Sequence, residues 1–132
     1  MDTEKVCVNL PAAELGKIDV LVARGLFSSR TDLIRDGIRR TLDDNSEVVR
    51  HVISGGARIG YQLLTKAELE MAKRGGTRLS IFVIGVLRIP TNVTPDLADE
   101  TIEHIQIFGS VKGPQAVIDR LGDRVMRGFG QE

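Results

Sequence analysis

The chain has 132 residues, 42% of them hydrophobic, and its 18 basic and 18 acidic side chains leave a formal charge of zero. That balance excludes a disordered basic arm and leaves room for one ordinary domain or two small ones. The single cysteine excludes an internal disulfide or a Cys-rich zinc site and fits a reducing, cytoplasmic setting.

The N-terminus, Met1-Asp2-Thr3-Glu4-Lys5, offers no apolar signal region. The longest uncharged apolar run, residues 79–87, is too short to cross a bilayer. A soluble intracellular protein without membrane contact is expected.

The first element is Lys5-Val6-Cys7-Val8-Asn9-Leu10, a strict alternation of polar and apolar side chains. On a strand, Val6, Val8 and Leu10 share one face, and Lys5, Cys7 and Asn9 share the other. Pro11 ends it, having no N–H to donate. Two helical patterns follow, and no second strand lies nearby in sequence. A lone strand leaves its backbone donors and acceptors unpaired. The same strand from a second copy supplies the missing partner, so an intertwined homodimer is expected.

Residues 12–24 place Leu15, Ile18, Leu21 and Val22 on one helical face. Gly25 stands where a C-cap glycine belongs, and Leu26 and Phe27 are positioned to seal the corner. Ser28-Ser29 supplies an N-cap for a second helix over residues 30–42, with an apolar stripe of Leu33, Ile34, Ile38 and Leu42.

Val-x-Val-x-Leu-Pro, a helix of this length, Gly-Leu-Phe-Ser-Ser-Arg and then Asp-Leu-Ile-Arg-Asp-Gly-Ile-Arg resembles the ribbon-helix-helix family of DNA-binding regulators, over roughly the first third of the chain. The resemblance implies a two-stranded ribbon, one strand from each copy, lying in the major groove of double-stranded DNA. It makes Lys5, Cys7 and Asn9 the face turned to the bases. Lys donates to guanine and Asn bonds adenine bidentately, whereas Cys7 departs from the usual polar reader and is suited to touching a thymine methyl. Ser28, Ser29 and Arg30 would hold a phosphate, through backbone N–H groups at the start of the second helix. Gly37 is a second departure, since glycine inside a helix costs about 1 kcal/mol relative to alanine. It is read as allowing close helix packing across the dimer. Residues 1–45 carry seven Lys/Arg and eight Asp/Glu, a net of −1, which is unusual for a DNA-binding domain.

Residues 43–46 read as a polar hinge, and residues 47–53 either prolong the second helix or start another. Ser54-Gly55-Gly56 marks a boundary; it lacks the strand–loop–helix context and the lysine of a P-loop. The chain therefore divides into a ribbon-helix-helix domain over residues 1–45, a linker over 46–56, and a domain over 57–132.

In the second part, Thr65-Lys66-Ala67-Glu68 opens a helix with a capping box, and Gly75-Gly76 ends it. Residues 78–84 form a strand, and the apolar run 81–84 predicts burial on both faces. Thr94-Pro95 caps a helix to about 102, residues 104–108 form a strand, residues 114–121 a last helix, and the tail from 127 is frayed. This half repeats itself. Residues 81–90 match residues 105–114 at an offset of 24 residues, obtained as 109 − 85 from the paired glycines Gly85 and Gly109. Ile59-Gly60-Tyr61-Gln62-Leu63-Leu64 is a weaker third copy. Each copy reads as strand, glycine turn, short extended piece and helix, which gives a small stacked α/β repeat that assembles subunits or senses a signal. The fold class is α/β throughout.

Catalytic, metal and cofactor sites are not expected. His51 and His104 lie in separate segments. The acids Asp96, Asp99, Glu100 and Glu103 share a helix face without a base or nucleophile, which reads as a solvated surface. Arg88 and Lys112 occupy equivalent repeat positions and form at most a small basic patch. The reading is a non-enzymatic, sequence-specific regulator that represses by occluding its operator, a homodimer through residues 5–42 with higher assembly through the C-terminal domain. The alternatives are an antitoxin, whose toxin-wrapping tail is normally disordered, and a structural assembly protein whose N-terminus only dimerises.

Overall fold

The structure is a computed structural model and describes residues 3–128. The chain divides into two compact units, Thr3–His51 and Val52–Glu132. Among the described residues they hold six α-helices, a short 3-10 helix and four strands.

In the first unit, residues 3–11 form no helix, turn or intrachain ladder. The strand expected over residues 5–10 is therefore not formed within a single chain. Helix α1 (Ala12–Ala23) ends in a Schellman motif: Leu26 N–H donates to the Leu21 carbonyl and Gly25 N–H to the Val22 carbonyl, both at 3.0 Å. Gly25 takes the left-handed conformation that the motif requires, at φ 80°. Phe27 is half-buried at this corner, but Leu26 stays exposed. Helix α2 (Arg30–Asp44) runs two residues further than the pattern predicts. The expected four-residue hinge shrinks to Asn45, and α3 (Ser46–Ser54) begins directly after it as a separate helix. Among the described residues, none in these three helices is buried.

The second unit has its own core. Strands β1 (Arg58–Leu63), β2 (Leu79–Arg88), β3 (Ile102–Lys112) and β4 (Val125–Arg127) form one parallel sheet in sequence order. The crossovers contain α4 (Lys66–Arg74), α5 (Pro95–Thr101) and α6 (Gln115–Leu121). Right-handed crossovers between consecutive neighbours put every helix on the same side. Leu69 of α4, Ala98 of α5 and Val117 and Leu121 of α6 accordingly share a core with Val83, Leu87, Ile105 and Ile107. All the members of that core lie between Leu64 and Val125, so it draws nothing from the first unit.

The sequence repeat is the strand register. From Ile81 opposite Ile105 to Arg88 opposite Lys112, every β2 residue faces its copy 24 positions later. Gly60, Gly85 and Gly109 form a ladder across three strands. They lie inside the strands, and not at turns as the repeat pattern predicts, so β2 and β3 run on to Arg88 and Lys112. Their φ values of 98°, 133° and 129° are open to glycine and rarely to other residues. Packing fixes two of them as well: a Cβ on Gly85 would meet the Gly60 carbonyl oxygen at 2.3 Å, and one on Gly109 the Gly85 oxygen at 1.9 Å.

Two further expectations change. Strand β2 is buried on one face only, because helices cover one side of the sheet: Val83 and Leu87 are buried, while Phe82, Ile84 and Val86 are half-buried. Arg127 belongs to β4, a strand too short to show a pattern, and residues 129–132 of the expected frayed tail lie outside the described residues.

Candidate nucleic-acid interface

The turn between α1 and α2 brings Ser28, Ser29 and Arg30 to one helix N-terminus. Ser29 is the N-cap; its hydroxyl oxygen accepts from Asp32 N–H at 3.1 Å. Asp32 reaches back, and its carboxylate accepts from Ser28 N–H at 3.1 Å and from the Ser28 hydroxyl at 3.2 Å. The cap thus engages the N–H groups of Ser28 and Asp32, and those of Ser29 and Arg30 are not among the donors it satisfies. The positive end of the α2 dipole points the same way.

The Arg30 side chain has another task. Its Nε and Nη2 donate to the two carboxylate oxygens of Asp19 at 2.7 and 2.8 Å, a bidentate pair that ties α2 to α1. The hydrogen bond from Arg30 holds the Asp19 carboxyl below the usual carboxylate range, and Asp19 raises the Arg30 guanidinium in return. At this helix end the backbone, and not the guanidinium, is therefore the group on offer to an anion. Sequence reasoning misses Asp19 and Asp32 as members of the site. Ser29-Arg30-Thr31-Asp32 carries the signature of a capping box and is readable; the Asp19–Arg30 pair spans a turn, and no local spacing announces it.

Lys5, Cys7 and Asn9 lie along the segment before α1, all exposed, with Cys7 a free thiol. Their apolar alternates are exposed as well, Val6 at 80% and Val8 at 72%. Leu21, Ile34, Ile38 and Leu42 on α1 and α2 are open in the same way. The structure gathers the three helix-end residues; the ribbon residues remain a row on an unpaired segment.

Elsewhere, the acidic face of α5 is an ion-pair network. Asp96 and Asp99 meet Arg120 at 3.1 and 3.2 Å, Asp99 also pairs with Arg124, and Glu100 meets Lys73 at 2.9 Å. The Arg124 hydrogen bond, with Arg120 beside it, holds the Asp99 carboxyl below its ordinary range. Glu100 raises the Lys73 ammonium. Arg78 and Arg124 also donate to the Asp99 and Ile102 carbonyls at 3.1–3.2 Å, closing the C-terminus of α5. Arg88 and Lys112 are register partners across β2 and β3. A cleft of about 490 Å³ opens where β2 begins before β1, with Arg58, Glu68, Leu79 and Phe82 among its walls. Among the described residues, no three His, Cys, Asp or Glu side chains converge as metal ligands, and no helix is long and apolar enough to cross a membrane.

A family model described as the ribbon-helix-helix transcriptional regulator family matches residues 1–118. No curated protein and no solved structure matches the chain.

Proposed function

Since the chain belongs to the ribbon-helix-helix transcriptional regulator family, and is in general terms a DNA-binding regulator of transcription, we propose that it acts as a homodimeric repressor. Two copies pair residues 5–10 into a ribbon that enters the major groove, with the N-terminal domain placed at residues 1–45. Lys5, Cys7 and Asn9 contact base edges there, while the start of α2 (Ser28, Ser29 and the Arg30 backbone) clamps a phosphate.

One observation carries the dimer. Among the described residues the Thr3–His51 unit buries none, yet it exposes Val6, Val8, Leu10, Leu21, Ile34, Ile38 and Leu42. Ordering a residue costs about 1–2 kcal/mol of backbone entropy, and burying a large apolar side chain returns about 1.5–3 kcal/mol. A unit that buries no side chain fully cannot offset that cost alone. A second copy offers the same stripes and the missing strand, and pairing turns Val6, Val8 and Leu10 inward while leaving Lys5, Cys7 and Asn9 outside.

The folded core of the second unit favours a regulator with an assembly or sensing domain over an antitoxin with a disordered tail. Selection from a random DNA pool, followed by binding titrations at several salt concentrations, tests the reading. Expected are one enriched motif, an affinity that falls linearly in log–log form with salt, and a loss of about 1–3 kcal/mol with relaxed preference at one base for Asn9→Ala. A pool that yields no enriched sequence would overturn it.

A further inference from the structure

The uncovered side of the C-terminal sheet is apolar across β1 and the middle of β2, with Phe108 and Met126 adding to it beyond. Strand alternation and register place Ile59, Ile84 and Phe108 in one row across it, and Tyr61 and Val86 in the next. Leu63 lies beyond them, and Phe82 and Met126 flank Gln106. Ile59 is 59% exposed, Tyr61 and Leu63 49% each and Met126 43%. Phe82 and Phe108 form a tilted pair on this side, 5.9 Å between ring centroids. All-parallel sheets occur almost only with both faces covered, and here the three crossover helices cover one.

We propose that this face packs against the same face of a second copy of the chain, two sheets back to back. It supplies the surface for the assembly role of the C-terminal domain proposed above, and of the arguments below only the one from linkage rests on the proposed ribbon dimer. Three observations select a copy of itself as the occupant. The first is size. Strands of 6, 10, 11 and 3 residues at ~3.3 Å per residue, ~4.8 Å apart, give a patch of roughly 480 Å². Two such patches together come to just under about 1,000 Å², the size of a weak, concentration-dependent interface. The second is charge. The face carries Arg88 and Lys112 at one end and Ser80 and His104 at the other. Stacking with the strands antiparallel lays each basic end over the other copy's polar end and keeps like charges apart. The third is linkage. Dimerisation elsewhere in the chain holds two such faces at high effective concentration, so that a small interface suffices.

The fragment 52–132 contains the whole of the second unit's core and lacks the ribbon, so it isolates this surface. Light scattering should show its mass doubling as concentration rises toward millimolar. Ile59→Lys, which alters a side chain outside the core, should return it to monomer with an unchanged circular dichroism melt. In the full chain at the same millimolar concentration, Val8→Asp should leave a dimer, and Val8→Asp with Ile59→Lys a monomer. A fragment that melts cooperatively but stays monomeric at millimolar concentration overturns the proposal, even if a different protein is found to cover the face. So does a dimer that is indifferent to both Ile59→Lys and Tyr61→Glu. If the fragment fails to fold, the full-chain pair decides: a double variant that remains dimeric, or Val8→Asp that is already monomeric, overturns it. Loss of DNA binding in Asn9→Ala bears only on the ribbon, and the two failures are therefore separable.

Discussion

Asp99 shows how a residue's neighbours set its role. Its carboxylate and carbonyl, together with the Ile102 carbonyl, gather Arg78, Arg120 and Arg124 at the end of α5. Because Arg124 and Arg120 pull the folded-state pKa down, the stabilisation is full above the ordinary carboxylate pKa. It is lost as pH falls through the lowered value, below about pH 4. Asp19 adds a second group of the same sign. Denaturant midpoints measured from neutral to acid pH should fall more steeply for the parent than for Asp99→Asn, which starts lower and has less to lose. The glycine ladder gives a second test at this scale. Gly85→Ala and Gly109→Ala each combine a strained φ, worth about 1–3 kcal/mol, with a collision against a backbone carbonyl that cannot move without breaking the ladder. A Cβ on Gly60, by contrast, meets nothing within 4 Å, so Gly60→Ala carries the strain alone. Thermal melts should rank Gly60→Ala mildly destabilised, by about 1–3 kcal/mol, and the other two severely so.

Among the elements, the segment before α1 has the most at stake. Its alternation assigns Val8 to a dimer core and Asn9 to a DNA face, so neighbouring substitutions should have opposite signatures. Val8→Asp would place an unpaired charge among apolar side chains and should remove the ribbon dimer. Asn9→Ala should leave the dimer intact, and size-exclusion chromatography of the two variants in a chain ending at Ser54, which lacks the C-terminal sheet, reads the difference. Equal dissociation of the two variants would mean that the alternation does not sort the faces. The strands of the second unit follow another logic. Each of β2 and β3 carries one buried row and one half-open row, although β2 is largely apolar on both while the open row of β3 is mostly polar.

For the whole molecule, the two units divide the work, and cutting between them separates it. A chain ending at Ser54 retains α1, α2 and α3. It should bind a single half-site weakly and with the same sequence preference as the parent. The full chain should bind longer DNA more tightly, since a second interface raises the effective concentration of paired sites. Equal affinity of both forms on long DNA, measured by anisotropy, would leave the C-terminal sheet without a part in operator binding.

Much of the fold is written locally. The N-cap at Ser29, the capping box at Thr65 and Glu68, the C-cap at Gly25 and the proline at the start of α5 depend on side chains within four residues of one another, and all appear at the positions their spacing predicts. The 24-residue offset is legible too, because a parallel register aligns like with like and the repeat fixes which residue that is. Other features need the folded chain. An apolar run such as residues 81–84 is compatible with one covered face or two, and only the side taken by the crossovers decides. A glycine in such a run reads equally as a turn or as a strand position pressed against a neighbour's carbonyl, and the closeness of β1 to β2 and of β2 to β3 chose the second. The pairing of Asp19 with Arg30, and of Asp99 with Arg120 and Arg124, joins residues far apart in sequence. No local pattern encodes such pairs, because what brings them together is the packing of whole helices.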